Sequence, residues 1–269
     1  VLTQHVLDRA ILGAAATAII AIAGYKARML TKSGMAGGFV AGTIAIAAGW
    51  SWGILLLGLF VTASVLSKLG ERKKTELLGP VVEKGGERDA WQVAANGTVY
   101  VAAAAAAIAF GDPRWYAIGI GALAASTADT WSTEIGTLGG RVPRLIVSGR
   151  KVPPGTSGGL TLAGTLGALA GSLSAAAGAR LAEWPMPVSA VVAGGLAGAL
   201  GDSLLGATIQ SKWWCEQCQS LTERRVHTCG TTTVHRGGLR WLNNDGVNFI
   251  STVIGGLVAL LFSGNGTAG

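Results

Sequence analysis

Charge is what this chain has least of. Asp, Glu, Lys and Arg make up 13% of its 269 residues while half are hydrophobic, a balance that excludes an ordinary soluble globular domain. The N-terminal VLTQHVLDRAILGAAATAIIAIAG lacks a basic leader and an evident small-residue cleavage site, so it reads as a retained first span rather than a signal peptide. No GxxxxGK[ST] occurs, which excludes a Walker A nucleotide loop. Apolar stretches rich in Ala and Gly fill the chain instead, in runs of about 17 to 20 residues, the length a helix needs to cross ~30 Å of hydrocarbon.

Eight spans can be drawn: 7–24, 35–49, 52–67, 91–109, 115–136, 158–181, 187–208 and 246–262. The expected fold is therefore all-α, a polytopic transmembrane helical bundle forming one integral membrane domain over 1–269. A Cys/His loop, 211–244, is inserted between the last two spans. The second and third spans form a tight hairpin around GWSW and look short, so a re-entrant pair stays open. Gly38 and Gly42, Gly167 and Gly171, and Gly194 and Gly198 are spaced at four, as close helix packing in lipid requires.

The scarce charges are segregated. Lys26, Arg28 and Lys32 lie in the first loop, and Lys68, Arg72, Lys73, Lys74, Lys84 and Arg88 in the third. Arg141, Arg144, Arg150 and Lys151 lie in the fifth, and Lys212, Arg224, Arg225, Arg236 and Arg240 in the seventh. The termini and even loops hold only Arg9, Arg114 and Arg180. The positive-inside rule then places the odd loops in the cytoplasm and both termini outside a multi-pass cell-membrane protein. The net charge of +7 belongs to these loops and is not a sign of nucleic-acid binding.

On that topology the intramembrane polar residues all reach the cytoplasmic rim. Asp129 and Glu134 lie near the end of the fifth span and Asp202 near the end of the seventh. Gln92 and Asn96 follow Arg88 into the fourth, and Asn243, Asn244, Asp245 and Asn248 open the eighth. Helical spacing puts Ser126, Asp129 and Thr133 on one face and Thr130, Glu134 and Thr137 on its neighbour. Oxygen ligands of this kind suit Mg²⁺, which keeps waters and binds substrate phosphates. Interhelical glue, or a cation or proton site in a lipid or ion transporter, would use the same groups. Transporters, however, usually place coupling residues at mid-membrane within inverted repeats, and neither is evident here.

In the fifth loop, SGRKVPPGTSGG sets Arg150 and Lys151 before Thr156, Ser157, Gly158 and Gly159, expected at the start of the sixth span. Free N–H groups there would suit a phosphate. TKSGMAGG, with Lys32, opens the second span in a similar way. In the seventh loop, Cys215, Cys218, His227 and Cys229 form C-x2-C followed by H-x-C, a spacing that can close a tetrahedral Zn²⁺ site. Four protein ligands leave no open position, so such a zinc would be structural. Disulfides are not expected on the cytoplasmic side.

The motifs ASTADTWSTEIG, PGTSGGLTLAGT, GDSLLGATIQ, the Cys/His knuckle and RGGLRWLNNDGVNF, in this order from about Lys26 to Phe249, resemble a membrane-protein family of formerly unknown function. That family includes the plant phytyl-phosphate kinase of vitamin E synthesis. The resemblance implies an integral membrane isoprenyl-phosphate kinase that makes the diphosphate from phytyl or geranylgeranyl phosphate, with CTP favoured as donor. Carried over by position, its functional residues would be Asp129, Glu134, Gly158, Gly159, Asp202, Asn243, Asn244, Asp245 and Asn248, with Arg88, Gln92 and Asn96. The expected partners are a membrane lipid and a nucleoside triphosphate, with Mg²⁺ and a structural Zn²⁺; a homo-oligomer is left open.

Overall fold

Four junctions between loop and helix carry a side chain that can take over a free helix N–H. Thr31 Oγ1 accepts from Gly34 N at 3.1 Å, Thr161 Oγ1 from Gly164 N at 3.0 Å and Asn243 Oδ1 from Gly246 N at 3.0 Å. Asp89 accepts from Gln92 N at 2.9 Å while Gln92 Oε1 accepts from Asp89 N at 3.2 Å, a reciprocal capping box. Each such cap contributes about 1 kcal/mol. They open α2 (Lys32–Ala48), α6 (Leu162–Leu181), α8 (Asn244–Ser263) and α4 (Ala90–Phe110). The intervening helices are α1 (Leu2–Lys26), α3 (Trp50–Leu69), α5 (Arg114–Leu138) and α7 (Val188–Thr208). α5 and α7 instead start after Pro113 and Pro187, with no side-chain cap. All four side-chain caps therefore lie at the end of the bundle where the basic loops gather.

This computed structural model describes residues 2–69, 81, 83 and 86–264; Arg72, Lys73, Lys74 and Lys84 of the third loop lie outside them. The eight helices among the described residues correspond one for one to the eight expected spans. Six of them, α1, α3, α4, α6, α7 and α8, are long and apolar enough to cross a membrane by length and composition. α3, with 20 residues, is long enough at ~1.5 Å per residue, and α2, with 17, spans about 25 Å. Gly49 alone separates them, so the hairpin is tighter than expected.

One boundary moves in a way that matters. The sixth helix begins at Leu162, not at 158, because Thr161 is its cap and Gly159–Leu160 form a short strand β2 paired antiparallel with β1, Arg144–Leu145. The Cys/His loop is not helical either. Its strands β3 (Lys212–Cys215), β4 (Ser220–Thr222) and β5 (Val234–Gly237) make a three-stranded antiparallel sheet in the order β4-β3-β5.

α5 is the central helix, packing against α3, α4, α6, α7 and α8. The contacts run through small residues. A Cβ on Gly255 of α8 would sit 2.5 Å from Ala125 Cβ and 2.6 Å from Gly121 O, and one on Gly198 of α7 would sit 2.3 Å from Ala125 Cβ. Gly171 of α6 would meet Thr127 O at 3.0 Å. Gly42 lies against Thr17 of α1, and Gly194 against Gly255 O. The glycines spaced at four thus serve packing, as their pattern suggests. Away from the loops, Trp52, Tyr100, Tyr116 and Trp184 form an aromatic cluster with centroids 4.5–5.1 Å apart, and Tyr100 Oη donates to Trp52 O at 2.7 Å. That end is closed by packing, which leaves chemistry to the other.

Gly255→Val is expected to lower stability by about 1–3 kcal/mol through overpacking of α5 against α8. Gly58→Ala, where an added Cβ meets nothing within 4 Å, should leave it unchanged or slightly raised. Thermal unfolding of the detergent-purified proteins reads both.

Candidate functional site

At the loop end, the fifth helix turns from a packing surface into a polar one. Ala122, Leu123, Ala124, Ala125 and Ala128 are buried against neighbouring helices, whereas Ser126, Asp129 and Thr130 retain partial exposure. Ser126 Oγ donates to Asn96 Oδ1 of α4 at 2.9 Å, and Asn96 Nδ2 donates to Gln92 O at 2.9 Å. One turn on, Glu134 is 5% exposed and accepts from Ser67 Oγ of α3 at 2.7 Å. Arg88 is an electrostatic neighbour of Glu134, donates from Nη1 to Ser64 Oγ at 3.1 Å and stacks 5.4 Å over the Phe60 ring. Its backbone is anchored too, with N donating to Met29 O and O accepting from Thr31 N, both at 3.0 Å.

On the other flank, Asp129 repels Glu134, and Asp202 of α7 repels both Asp129 and Glu223. Glu223 was not foreseen. It follows β4 directly, and its Oε1 accepts from Gln210 Nε2 at 2.7 Å and Ser157 Oγ at 2.8 Å. Burial raises its pKa above the ordinary glutamate value, an effect that the hydrogen bonds from Ser157 and Gln210 oppose. In the sequence it stands in TERR, where an acid beside two arginines reads as a solvated loop charge. Asp202 Oδ2 is buried with no hydrogen-bond partner among the described residues.

The remaining candidates are more dispersed. Asp245 is 9% exposed on the first turn of α8, next to the Asn243 cap; Asn244 is exposed and Asn248 half-buried. Lys32 is exposed on the first turn of α2, and Arg150 and Lys151 are exposed in the 146–158 loop, with no ion pair to either among the described residues. The Thr156–Gly159 stretch is not an open helix terminus. Thr156 N donates to Pro153 O at 3.2 Å and Gly159 N to Thr156 O at 3.0 Å, so both amides are used within the turn. Gly158, at φ +82°, lets this turn press on α7, where a Cβ would lie 2.5 Å from Ser203 O. Ser157 is committed to Glu223. Thr156, Ser157, Gly158 and Gly159 therefore lie in a turn ahead of the helix, not at its start as expected. Thr133, expected to share the face of Asp129, is exposed.

An apolar groove of 240 Å³ runs beside this polar end, lined by α1 to α5. Trp50, Ile54 and Ile46 line it far from the loops, and Arg88, Gln92, Asn96, Ser126 and Thr130 line it at the loop end.

The Cys215, Cys218, His227 and Cys229 ligand atoms all lie within 4.8 Å of one another and could hold a metal ion. Cys215 Sγ is 3.6 Å from Cys229 Sγ, which lies 3.3 Å from His227 Nδ1. A sulfur pair at that distance is not a disulfide, whose bond is about 2.05 Å. The site sits in the β3–β4 turn and the 227–230 turn, so the sheet brings the two halves of the motif together.

The sequence pattern described as Integral membrane protein DUF92 matches residues 15–256. The chain belongs to this family. It is 36% identical to Protein PGR of Arabidopsis thaliana, over 88% of the chain and 90% of that protein. It is 33% identical to an uncharacterised membrane protein of Methanocaldococcus jannaschii, over 96% of each. Similarity also extends to the chloroplast protein VTE6 of Arabidopsis thaliana, 29% identical over 86% of the chain and 65% of VTE6. No solved structure matches.

The raised pKa of Glu223 has a testable sign. Its contribution to stability is complete below the unfolded-state value and is lost as pH rises through the folded one. Glu223→Gln, which keeps an acceptor oxygen, should match or exceed the wild-type melting temperature at pH 7 to 8 in divalent-free buffer, with the gap closing toward the ordinary glutamate range. Melting curves across pH in detergent measure it, and a destabilised variant at neutral pH would contradict the assignment.

Proposed function

We propose that this protein transfers a phosphoryl group from a nucleoside triphosphate, CTP being favoured, to an isoprenyl monophosphate such as phytyl or geranylgeranyl phosphate, giving the diphosphate at the cytoplasmic face. The observation that carries the reading is one junction: an apolar groove ends at Arg88, beside Glu134, on the same polar end as Asp129 and Asp202. A lipid with an anionic head matches both halves. Between Trp50 and Ala63 on α3 the groove is about 20 Å long, room for an extended isoprenoid tail. The resemblance to the family that includes the plant phytyl-phosphate kinase supports the same acceptor class.

Arg88 would neutralise the acceptor phosphate at the mouth of the groove. Exposed Lys32, Arg150 and Lys151, with Asn243, Asn244 and Asn248, are assigned to the nucleotide. In the transfer, an oxygen of the acceptor monophosphate bonds to the donor's γ-phosphorus as the bond to the β–γ bridging oxygen breaks, releasing the nucleoside diphosphate. The acceptor is largely ionised near pH 7, so no strong base is required. The orphaned Asp202 Oδ2 and the all-oxygen donor set fit Mg²⁺, with Asp129, Glu134, Asp202 and Asp245 as the residues that would hold it. When bound, the ion would offset the charge of the donor's terminal phosphates. The Cys/His site fits a structural Zn²⁺: a tetrahedron of Zn–S bonds near 2.3 Å places sulfurs about 3.8 Å apart, close to the Cys215–Cys229 spacing.

Purified protein incubated with CTP or ATP, Mg²⁺ and a panel of prenyl monophosphates should form prenyl diphosphate. Asp129→Asn and Asp202→Asn should abolish that product, and undiminished turnover in both would remove the carboxylates from the mechanism. Elemental analysis of the detergent-purified protein should find about one zinc per chain; folded protein without metal would reject the zinc.

A further inference from the structure

The groove that ends at Arg88 has one place where the chain withholds a side chain and nothing else takes its room. Gly38, Gly42, Gly53 and Gly97 are among its lining residues. The first three face other side chains. A Cβ on Gly42 would run into Thr17 Cγ2 and one on Gly53 into Ile46 Cγ1, while one on Gly38 would touch Leu30 Cδ1 at 3.7 Å. A Cβ on Gly97 would meet nothing within 4 Å, although Gly97 is buried in α4. Gly58 is equally free of contacts, but it is exposed and outside the groove. Buried, lining the groove and unobstructed, Gly97 opens onto the cavity itself. Glycine in a helix interior is disfavoured relative to alanine, and protein interiors leave few voids wider than a water molecule. No packing contact at Gly97 compensates either cost.

Its neighbour fixes its level in the groove. Gly97 follows Asn96, which accepts from Ser126 Oγ at 2.9 Å and lines the polar mouth with Gln92 and Thr130. Arg88 is the only charged residue among the described residues that line the groove, and its guanidinium lies over the ring of Phe60, another lining residue. Beyond Asn96 and Ser126 the wall continues with Leu123 of α5 and Ile54 of α3. A chain with a single anionic head matches this order of charge, polar rim and apolar wall. Its carbons nearest the head are the ones that pass Gly97. In an isoprenyl phosphate those carbons carry the first methyl branch, which makes the chain wider there than a straight alkyl chain.

We propose that Gly97 is a specificity-determining residue for the acceptor: the space it leaves takes the first methyl branch, so the groove prefers a branched chain to a straight one of equal length. The acceptor part of the functional reading underlies this inference; the nucleotide and the metal do not.

Phytyl monophosphate and its unbranched counterpart, with the same main chain and double bond but no methyl groups, are the probes. Binding of each labelled phosphate to immobilised, detergent-purified protein is measured without nucleotide, and kcat and KM for transfer from CTP are measured in parallel. Wild type should bind the branched probe about ten-fold or more tightly than the straight one, the discrimination a hydrophobic pocket achieves for one carbon. Gly97→Ala should bring that ratio near unity, mainly by weakening the branched probe and raising its KM, with kcat little changed. Gly97→Leu should weaken both probes, and Gly58→Ala should leave the ratio as in wild type. The melting temperature of Gly97→Ala should equal or exceed that of wild type, because a methyl enters open space in a helix. A lower value overturns the inference, since the space would then not be open. Equal binding of the two probes by wild type, or a preference that survives in Gly97→Ala, overturns it as well. Branch-selective binding that depends on Gly97 without any turnover supports the inference and removes the kinase reading. Turnover with a ratio unchanged by Gly97→Ala does the reverse.

Discussion

The close approach of backbones around α5 is the constraint on which the rest of the structure depends. Lipid tails are as apolar as the helix surfaces, so helices gain little by hiding from them, and association rests on packing and interhelical hydrogen bonds. Gly121, Ala125 and Ala128 on α5 meet Gly255, Gly198 and Gly171 on three neighbours so closely that a further methyl group would crowd each contact. That surface encloses α5, with 12 of its 25 residues buried. Enclosure is what allows a membrane helix to carry two carboxylates at all, because it turns them away from hydrocarbon.

A consequence follows along the helix axis. The small-residue face ends where Ser126 and Asp129 begin, and polar partners take over from methyl contacts: Asn96 from α4, Ser67 from α3, Asp202 from α7. The change occurs at the end where four helices are capped by Thr31, Asp89, Thr161 and Asn243, and where the connecting loops carry most of the Lys and Arg. Packing at one end and polar convergence at the other give the bundle a direction. The groove between α1 and α5 shares it, aromatic and aliphatic at one end and ending at Arg88.

The loops are not passive connections. The 144–160 hairpin presses Gly158 onto α7 and offers Ser157 to Glu223, while the three-stranded sheet gathers four metal-ligand side chains and supplies Glu223 itself. Residues 81, 157, 210 and 223 lie far apart in the chain yet meet through Glu223 N donating to Val81 O and the Ser157 and Gln210 hydrogen bonds.

The number of helices, their order and the shared end of the polar residues were set by local physics legible in the chain: apolar run length, glycine spacing and the asymmetry of Lys and Arg. C-x2-C and H-x-C spacing was likewise enough to expect four converging ligands. Three matters needed tertiary structure. The helix after GTSGG starts at Leu162 because Thr161 caps it and β2 pairs with β1, Arg144 with Leu160 and Leu145 with Gly159, an upstream partner that no local pattern announces. Glu223 is half-buried because Ser157 and Gln210 reach it from other segments, whereas its neighbours Arg224 and Arg225 make it look solvated. Asp202 and Asp129 become neighbours only through the glycine contacts that set the spacing of α5 and α7. Local composition fixes which residues are polar and at what depth, but which carboxylates repel one another depends on helix rotation and loop docking, and those are properties of the packed bundle.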